Sequence, residues 1–324
     1  MKTFKHFDAG SIDEALALLN HYGGNARVTA GGTDLLGVLK SEILPDYPEA
    51  VINLKPIPGL DGIKADATGL RIGAMTRLVD IVESQIVKEN YPALALAAES
   101  VGSPELRNMG TIGGNLCQDT RCWYYRYPDK MGGQIPCYRK GKGPCHAIKG
   151  DNRYHAVLEG RKCYAVCPSD MAIALAALQA EVQTKRPGGE RTIPVADLYG
   201  IRGTVLEHDE LITRIRVPNP VENSVQRFSK FRLRESIDFA VVSVAAVLDL
   251  TDGICRDARV VLGAVAPIPY RAVAAEEALK GQSIDDQLAV QVAEAALRDA
   301  KPMSKNAYKI EIAKTLVERV LRPC

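Results

Sequence analysis

The fold is decided by a short glycine-rich stretch near the N-terminus, Thr29-Ala30-Gly31-Gly32-Thr33-Asp34-Leu35. It follows a predicted strand over residues 26–30 and precedes a run of apolar residues. The glycine pair allows the backbone to come close to a phosphate, and successive N–H groups in such a turn form a nest for an anion. Taken alone, the pattern is also typical of an ordinary strand-to-helix turn, and it does not match the G-x-G-x-x-G dinucleotide fingerprint.

A second stretch, about eighty residues later, repeats the glycine pair: Gly110-Thr111-Ile112-Gly113-Gly114-Asn115. Gly102-Ser103 and Arg107-Asn108 precede it. One such loop is weak evidence for a ligand. Two of them, in a chain with no Walker or Rossmann signature, indicate a ligand that has two phosphates and a long body.

Length and composition are those of a globular protein, with 324 residues, 46% of them hydrophobic and 25% charged. No apolar run approaches the roughly eighteen residues that a membrane span requires, so we expect no membrane association. The N-terminal residues Met1 to His6 contain no apolar signal core, which predicts a cytoplasmic location. The net charge of +2 does not by itself indicate an acidic partner.

Helical and strand periodicity divides the chain into three parts. Ser11 and Glu14 form a predicted capping box, and the helix that follows carries an apolar stripe that ends at Gly23-Gly24. Prolines and a glycine at positions 56–59 suggest a subdomain boundary. We therefore predict one subdomain over residues 1–57, a second over 58–220 in which strands alternate with helices, and an independent domain over 221–324. This last part shows two strand-like runs followed by three helices.

Six of the eight cysteines lie between Cys117 and Cys167. In a cytoplasmic chain such a cluster indicates metal or redox chemistry rather than disulfides. Iron–sulfur clusters are held by four thiolates, and zinc accepts four as well. The predicted ligands are four cysteines in the segment 118–163, which has no clear periodicity: Cys122, Cys137, Cys145 and Cys163.

Two further cysteines flank that segment and are better interpreted as scaffold residues. Cys117 directly follows the second glycine stretch, and Cys167 directly precedes Pro168-Ser169-Asp170. A Cys-Pro pair is nevertheless common at the last ligand of ferredoxins, so Cys167 is an alternative to Cys163. Zinc, or buried thiols without a metal, are alternatives to an iron–sulfur cluster. His146 and His155 are not assigned as ligands.

Positive charge is concentrated in the same segment. Residues 121–162 carry a net charge of +7, which leaves −5 for the rest of the chain. A basic collar around a redox centre would steer an acidic carrier such as a ferredoxin or a flavodoxin. A solvated loop, or one docked on a partner subunit, explains the charge equally well. A nucleic-acid interface does not explain the cysteines or the glycine loops, and we expect none.

The ordered combination of motifs resembles the FAD-binding subunit of molybdenum hydroxylases, a family that includes xanthine dehydrogenase and carbon monoxide dehydrogenase. The resemblance covers nearly the whole chain and rests on these stretches: 29–36, 51–60, 107–116, 168–170, 209–212 and 262–267. It implies an α+β fold. Two subdomains of the PCMH/VAO type would hold extended FAD, and a C-terminal α+β domain would consist of an antiparallel sheet with helices.

The resemblance also implies the residues that bind FAD. Asp170 would lie at the ribityl or ribose region, and Lys230 or Arg232 near the isoalloxazine, where a cation stabilises reduced flavin. A solvated strand edge is the alternative for those two cations. The remaining predicted cofactor-binding residues belong to the glycine stretches: Thr29, Ala30, Gly31, Gly32, Thr33, Asp34, Leu35, Leu36, Gly102, Ser103, Thr111, Ile112, Gly113, Gly114 and Asn115.

Within that family the cysteine-bearing insertion is similar to the one in the β subunit of 4-hydroxybenzoyl-CoA reductases, our first choice. It also resembles the insertion in the flavin subunit of certain aldehyde oxidoreductases. Either resemblance implies FAD and a [4Fe-4S] cluster on this chain. Molybdopterin would lie on a large partner subunit and [2Fe-2S] on a small one, in a hetero-oligomer such as a dimer of heterotrimers.

In a 4-hydroxybenzoyl-CoA reductase, electrons from an acidic ferredoxin would pass through this chain, and the phenolic hydroxyl would be removed on the molybdenum subunit. No catalytic residue is therefore expected here. The alternatives are a stand-alone flavoprotein oxidase, which would turn over as an isolated chain, and a zinc-stabilised binding module.

Overall fold

A computed structural model describes residues 1–322. The first part is a three-stranded parallel sheet in which the last strand lies between the other two. Its apolar core is closed by one face of the first helix. The elements in chain order are β1 Lys5–Asp8, α1 Ile12–Tyr22, β2 Ala26–Thr29, α2 Leu35–Lys40 and β3 Ala50–Asn53.

The start of α1 confirms the predicted cap in part. Ser11 Oγ accepts a hydrogen bond from the Glu14 amide, as predicted. The Glu14 carboxylate, however, accepts from the amide of Gly10 rather than from that of Ser11, so the reciprocal bond is displaced by one residue. Ala15, Leu16 and Leu19 are buried, which confirms the predicted stripe.

The middle part is a five-stranded antiparallel sheet, in the order β4-β5-β10-β6-β7, packed against short helices. The elements in chain order are β4 Ile63–Asp66, β5 Gly69–Gly73, α3 Leu78–Glu83, α4 Gln85–Asn90, α5 Pro92–Glu99, α6 Pro104–Met109, α7 Ile112–Leu116, α8 Asp170–Ala177, β6 Glu181–Arg186, β7 Gly189–Pro194, β8 Tyr199–Gly200, β9 Gly203–Thr204 and β10 Leu211–Pro218. The predicted mixture of strands and helices is confirmed, but the helices follow one another between two groups of strands instead of alternating with them.

The cysteine-bearing insertion contains only three single 3-10 turns, over Asp129–Met131, Tyr138–Lys140 and His146–Ile148. Long-range hydrogen bonds hold it in place. Gln134 Nε2 donates to the carbonyls of Glu42 and Leu44 in the first part of the chain. The insertion is therefore an ordered loop because its ends and its centre are pinned to other elements.

The C-terminal part is a four-stranded antiparallel sheet covered by three helices. Its elements are β11 Ser224–Phe231, β12 Val242–Thr251, β13 Ile254–Gly263, β14 Tyr270–Arg271, α9 Val273–Leu279, α10 Asp286–Leu297 and α11 Tyr308–Leu321. The predicted fold class is confirmed, although β11 and β14 were not predicted. Cys324, for which we predict no role in metal binding, lies outside the described residues.

Two buried features join the parts. Helix α8 is apolar on all sides and packs on the middle core and, through Ile173 and Ala177, on the C-terminal sheet. Lys309 is fully buried in α11, and its Nζ donates to the carbonyls of Tyr154, His155 and Ala264. Lys309 therefore ties the end of the insertion to the C-terminal part. Among residues 1–322, none of the helices combines the length and the apolarity required to cross a bilayer.

Candidate functional site

The two glycine stretches lie together at the middle of one long cleft. The cleft consists of two cavities of about 290 and 430 Å³ that share the lining residues Thr33, Asp34, Thr111, Gly114 and Gln118. The smaller cavity extends towards β11, and the larger towards β2 and the β9–β10 connection. Such a cleft is suited to an elongated ligand whose centre lies against the glycine loops.

The first glycine loop presents unpaired amides to this cleft. The Leu36 amide donates to Gly32 O. Within residues 1–322, none of the four amides from Gly31 to Asp34 has an acceptor on the protein. Successive free N–H groups form an anion nest. The loop therefore fits a phosphate group, as the sequence predicts.

The glycines themselves have a partly structural explanation. A Cβ on Gly31 would lie 1.9 Å from Met109 O, and one on Gly113 would lie 2.8 Å from Ala74 O. These two positions exclude a side chain because the loops pack on other backbone. Gly32 has φ +73, a conformation that favours glycine whether or not a ligand is present. Only Gly114 lacks such a backbone constraint, with Thr111 Oγ1 at 3.0 Å as its nearest neighbour.

Asp34 does not present a free carboxylate to the cleft. Its Oδ1 accepts from Arg121 at 2.6 Å and from Arg126 at 2.7 Å, and its Oδ2 accepts from the amide of Asp119 at 2.7 Å. Both arginines line the cleft. Asp34 thus holds the start of the insertion over the first glycine loop. The two arginines were missed in the sequence, where only the excess positive charge of the insertion pointed to them.

The motif Pro168-Ser169-Asp170 connects the second glycine loop with β11. Ser169 Oγ caps α8 by accepting from the Ala172 amide and donates to Asn115 Oδ1 at 2.6 Å. Asp170 accepts from Lys230 Nζ at 2.7 Å, and both side chains are buried. Burial raises the pKa of Asp170, and the Lys230 ammonium opposes that rise. The hydrogen bond from Ser169 thus holds Asn115 in place at the cleft.

The two cations predicted to lie near the isoalloxazine, Lys230 and Arg232, differ in their position relative to the cleft. Lys230 lines the smaller cavity and is only 4% exposed, so it is not a solvated strand edge. Its charge is paired with Asp170. Arg232 donates to Ser100 O, which also accepts from Lys230. A single carbonyl thus contacts both cations, but only Lys230 lines the cleft.

The other predicted residues divide into those at the cleft and those elsewhere. Ala30 and Leu35 line the larger cavity, and Gly102 lines the smaller one. Ser103 caps α6, and Thr29 ends β2. Leu36 is half exposed, and Ile112 is fully buried in the middle core, so the side chain of Ile112 cannot touch a ligand. The larger cavity also includes Cys117 and His208, which the sequence did not suggest as binding residues.

Glu210 belongs to one of the stretches that carry the family resemblance, and the structure gives it a stabilising role. Its side chain is fully buried and accepts from Arg191 Nε and Thr184 Oγ1. Burial alone would raise the pKa of Glu210, but Arg191, Thr184 and the Glu207 amide hold it at about 2.

We expect Glu210→Gln to lower the free energy of unfolding at pH 7 by about 3 kcal/mol, the amount that corresponds to this pKa difference. Because the folded pKa lies below the usual value of 4.5, this stability is complete above pH 4.5 and is lost as the pH falls towards 2. Urea unfolding at pH 7 and pH 3 measures the change, with Glu207→Gln, at an exposed position, as the control. An equal loss at both pH values would contradict the prediction.

The four predicted metal ligands line a single small cavity in the insertion. Cys122, Cys137, Cys145 and Cys163 surround it together with tyrosines 124, 125 and 138. Cys167 lies elsewhere, in the core of the middle part, and Cys117 lies at the cleft. Four cysteine sulfurs on one cavity are the donor set that an iron–sulfur cluster requires.

A zinc site fits this arrangement less well. The spacings Cys117-x4-Cys122 and Cys163-x3-Cys167 are of the zinc-knuckle type, but in each pair only one cysteine reaches the cavity. Within the described part of the chain, no group of three or more His, Cys, Asp or Glu side chains is arranged to hold a metal ion.

A histidine contacts one of these thiols. His155 Nε2 lies 3.2 Å from Cys122 Sγ. Burial lowers the pKa of His155 to about 4, so the ring is neutral near pH 7. Burial likewise raises the pKa of Cys122 to about 12. His155 is therefore placed to orient this sulfur.

The structure corrects the charge argument for the insertion. Arg139 is 8% exposed and Lys140 is 9% exposed, so neither can form part of a basic docking surface. Arg121 and Arg126 point to the cleft. The exposed basic residues are Lys130, Lys142, Lys149, Arg153, Arg161 and Lys162. Docking of an acidic carrier on this loop stays a prediction. Fewer exposed positive charges support it than the sequence alone suggested.

Comparison with known proteins gives matches over the whole chain. Residues 2–220 match the family described as the FAD binding domain in molybdopterin dehydrogenase, and residues 226–324 match the CO dehydrogenase flavoprotein C-terminal domain. The aldehyde oxidoreductase FAD-binding subunit PaoB of Escherichia coli is 37% identical, and the match covers 99% of this chain and 98% of that protein. The carbon monoxide dehydrogenase medium chain of Hydrogenophaga pseudoflava is 28% identical, over 98% and 96%.

Solved structures are similar over the same length. Carbon monoxide dehydrogenase from Hydrogenophaga pseudoflava has a TM-score of 0.79 at 28% identity, covering 98% of this chain and 96% of that one. Quinoline 2-oxidoreductase from Pseudomonas putida has a TM-score of 0.78 at 25% identity, covering 99% and 97%.

Proposed function

Since this chain belongs to the family of FAD-binding subunits of molybdopterin dehydrogenases, we propose that it passes electrons between FAD in its cleft and the other subunits of an aldehyde-oxidising complex. The chain is an oxidoreductase subunit, and substrate chemistry in such complexes takes place on the molybdenum subunit. The observation that carries the proposal is the full-length similarity, at 37% identity, to an aldehyde oxidoreductase FAD-binding subunit.

The cleft supports the proposed position of FAD. The free amides from Gly31 to Asp34 would hold the pyrophosphate, and Arg121 and Arg126 would add positive charge beside it. The cavity near the Asp170–Lys230 pair would receive one end of the cofactor. FAD would supply the exchange of one or two electrons.

We further propose a [4Fe-4S] cluster held by Cys122, Cys137, Cys145 and Cys163. Support comes from their common cavity and from the lack of any regular element in the insertion apart from short turns. Cys163 is preferred over Cys167 as the fourth ligand because Cys167 is buried in the core of the middle part.

The proposed partners are a large molybdopterin subunit and a small [2Fe-2S] subunit. Carbon monoxide dehydrogenase and 6-hydroxypseudooxynicotine dehydrogenase relatives carry the names medium chain and complex subunit, which supports a heteromeric assembly. We favour aldehyde oxidation over reduction of 4-hydroxybenzoyl-CoA because an aldehyde oxidoreductase subunit is among the matched relatives. The first choice of a 4-hydroxybenzoyl-CoA reductase rested on overall similarity and chain length.

The test is anaerobic flavin reduction in the reconstituted three-subunit complex. Aromatic and aliphatic aldehydes should bleach the FAD absorbance, and the isolated chain should show no bleaching because it lacks the molybdenum site. Reductive dehydroxylation of 4-hydroxybenzoyl-CoA with no response to aldehydes would reverse the assignment. Turnover by the isolated chain would indicate a stand-alone oxidase.

A further inference from the structure

Lys140 is a buried cation in the insertion that forms no ion pair within the described part of the chain. It ends the turn Tyr138–Lys140 and is 9% exposed. Within residues 1–322 its Nζ has neither a hydrogen-bond partner nor an ion-pair partner. Burial of an ammonium group without a partner is unfavourable and is rare in proteins. The position therefore calls for a negative group that this chain's own side chains do not provide.

The surroundings of Lys140 indicate where that negative group lies. Its Nζ is 5.5 Å from the centre of the Tyr125 ring, which itself lines the cysteine cavity. The Lys140 amide donates to the carbonyl of Cys137 at 3.0 Å. Lys140 is thus bonded through its backbone to one of the four cysteines, and its ammonium group lies next to a tyrosine that lines their cavity.

The nearby carboxylates do not meet this need. Asp119 and Asp129 interact electrostatically with Lys140, but neither forms an ion pair with it. Asp119 accepts a hydrogen bond from Tyr125 at 2.6 Å and lies 3.7 Å from Arg139 Nε. Its charge is already paired.

We infer that Lys140 is the counter-charge of the proposed iron–sulfur cluster and raises its reduction potential. This inference rests on the proposed function, because it requires the cluster on Cys122, Cys137, Cys145 and Cys163. Four thiolates give such a cluster a net negative charge, and one-electron reduction adds one further negative charge. A fixed ammonium in a buried site attracts the reduced form more strongly than the oxidised form. Lys140 is a tuning residue and not a ligand.

The experiment is a redox titration of the complete complex, followed by electron paramagnetic resonance of the reduced cluster. Lys140→Met should lower the reduction potential while iron and FAD contents stay at wild-type levels. Lys140→Arg keeps the positive charge and should restore a potential near that of wild type. Lys142→Met, at an exposed neighbouring position, is the matched control and should leave the potential unchanged.

A second measurement separates a charge effect from a packing effect. In the iron-depleted complex, Lys140→Met should raise the unfolding temperature, because it removes a buried ammonium that has no partner. With iron bound, that gain should disappear.

Each remaining outcome is decisive. An unchanged potential in Lys140→Met with full iron would overturn the inference. Loss of iron from Lys140→Met would also overturn it, because the inference gives Lys140 no part in retaining the cluster. Absence of iron and sulfide from the wild-type complex would instead refute the proposed cluster, before any variant is made.

Discussion

Replacement of Gly114 by valine is expected to abolish FAD binding by the folded chain. Gly114 lines both cavities where they meet, and a Cβ there would lie 3.0 Å from Thr111 Oγ1 and 3.7 Å from Ala30 Cβ. The two γ-methyl groups would then occupy the space proposed for the pyrophosphate. We expect the affinity to fall by more than about a hundredfold, which corresponds to roughly 3 kcal/mol. Flavin content after gel filtration, and titration with FAD and FMN, measure the change, and wild type should prefer FAD.

Gly114 is a sharper test than the other loop glycines. Gly32→Val should also prevent FAD binding, but its φ of +73 strains the loop even without a ligand. Gly24→Val is the matched control, because no atom lies within 4 Å of its added Cβ and its φ is ordinary. Stoichiometric FAD in a folded Gly114→Val chain would contradict the proposed position of the pyrophosphate beside Gly114.

Serine at any one of the four cavity cysteines is expected to remove about four irons per chain, because a cluster that loses one thiolate ligand is not retained. The variants are Cys122→Ser, Cys137→Ser, Cys145→Ser and Cys163→Ser. FAD should remain bound, since the cleft lies outside this cavity. Iron and acid-labile sulfide analysis of anaerobically purified protein, together with the electron paramagnetic resonance signal, gives the result.

The controls for the cluster come from the remaining cysteines. Cys255 is buried in the C-terminal core, and Cys255→Ser should keep all of the iron. Cys167→Ser should also keep it. Full iron in Cys163→Ser with loss in Cys167→Ser would identify Cys167 as the fourth ligand. Zinc in place of iron and sulfide in the wild-type protein would eliminate the cluster.

Local sequence was sufficient for the features that depend on neighbouring residues. The stripe of α1, its Ser11 cap and the three C-terminal helices follow from periodicity and capping chemistry, which act over a few residues. Strand β11 was missed because the helices that pack on it, α5 and α11, lie far away in sequence. Strand β14 was missed because it is only two residues long.

Residue type and spacing predicted two kinds of chemistry. Two glycine pairs predicted a phosphate-binding cleft, and four cysteines in a segment without periodicity predicted a metal centre. Only the tertiary structure decided which of these residues have polar groups that are free to bind a ligand. A side chain at Gly31 would clash with Met109 O, which explains the glycine without a ligand. The carboxylate of Asp34 is paired with Arg121 and Arg126 of the insertion, so it is not free to bind a ligand.

Charge was the property that sequence described least well. The +7 insertion suggested an exposed basic collar, yet Arg139 and Lys140 are buried beside the cysteine cavity. Lys230 and Asp170, 60 residues apart, neutralise each other at the cleft. A formal charge is a property of the residue, but its effect depends on burial and on partners brought together by long-range contacts. Those contacts exist only once the chain has folded.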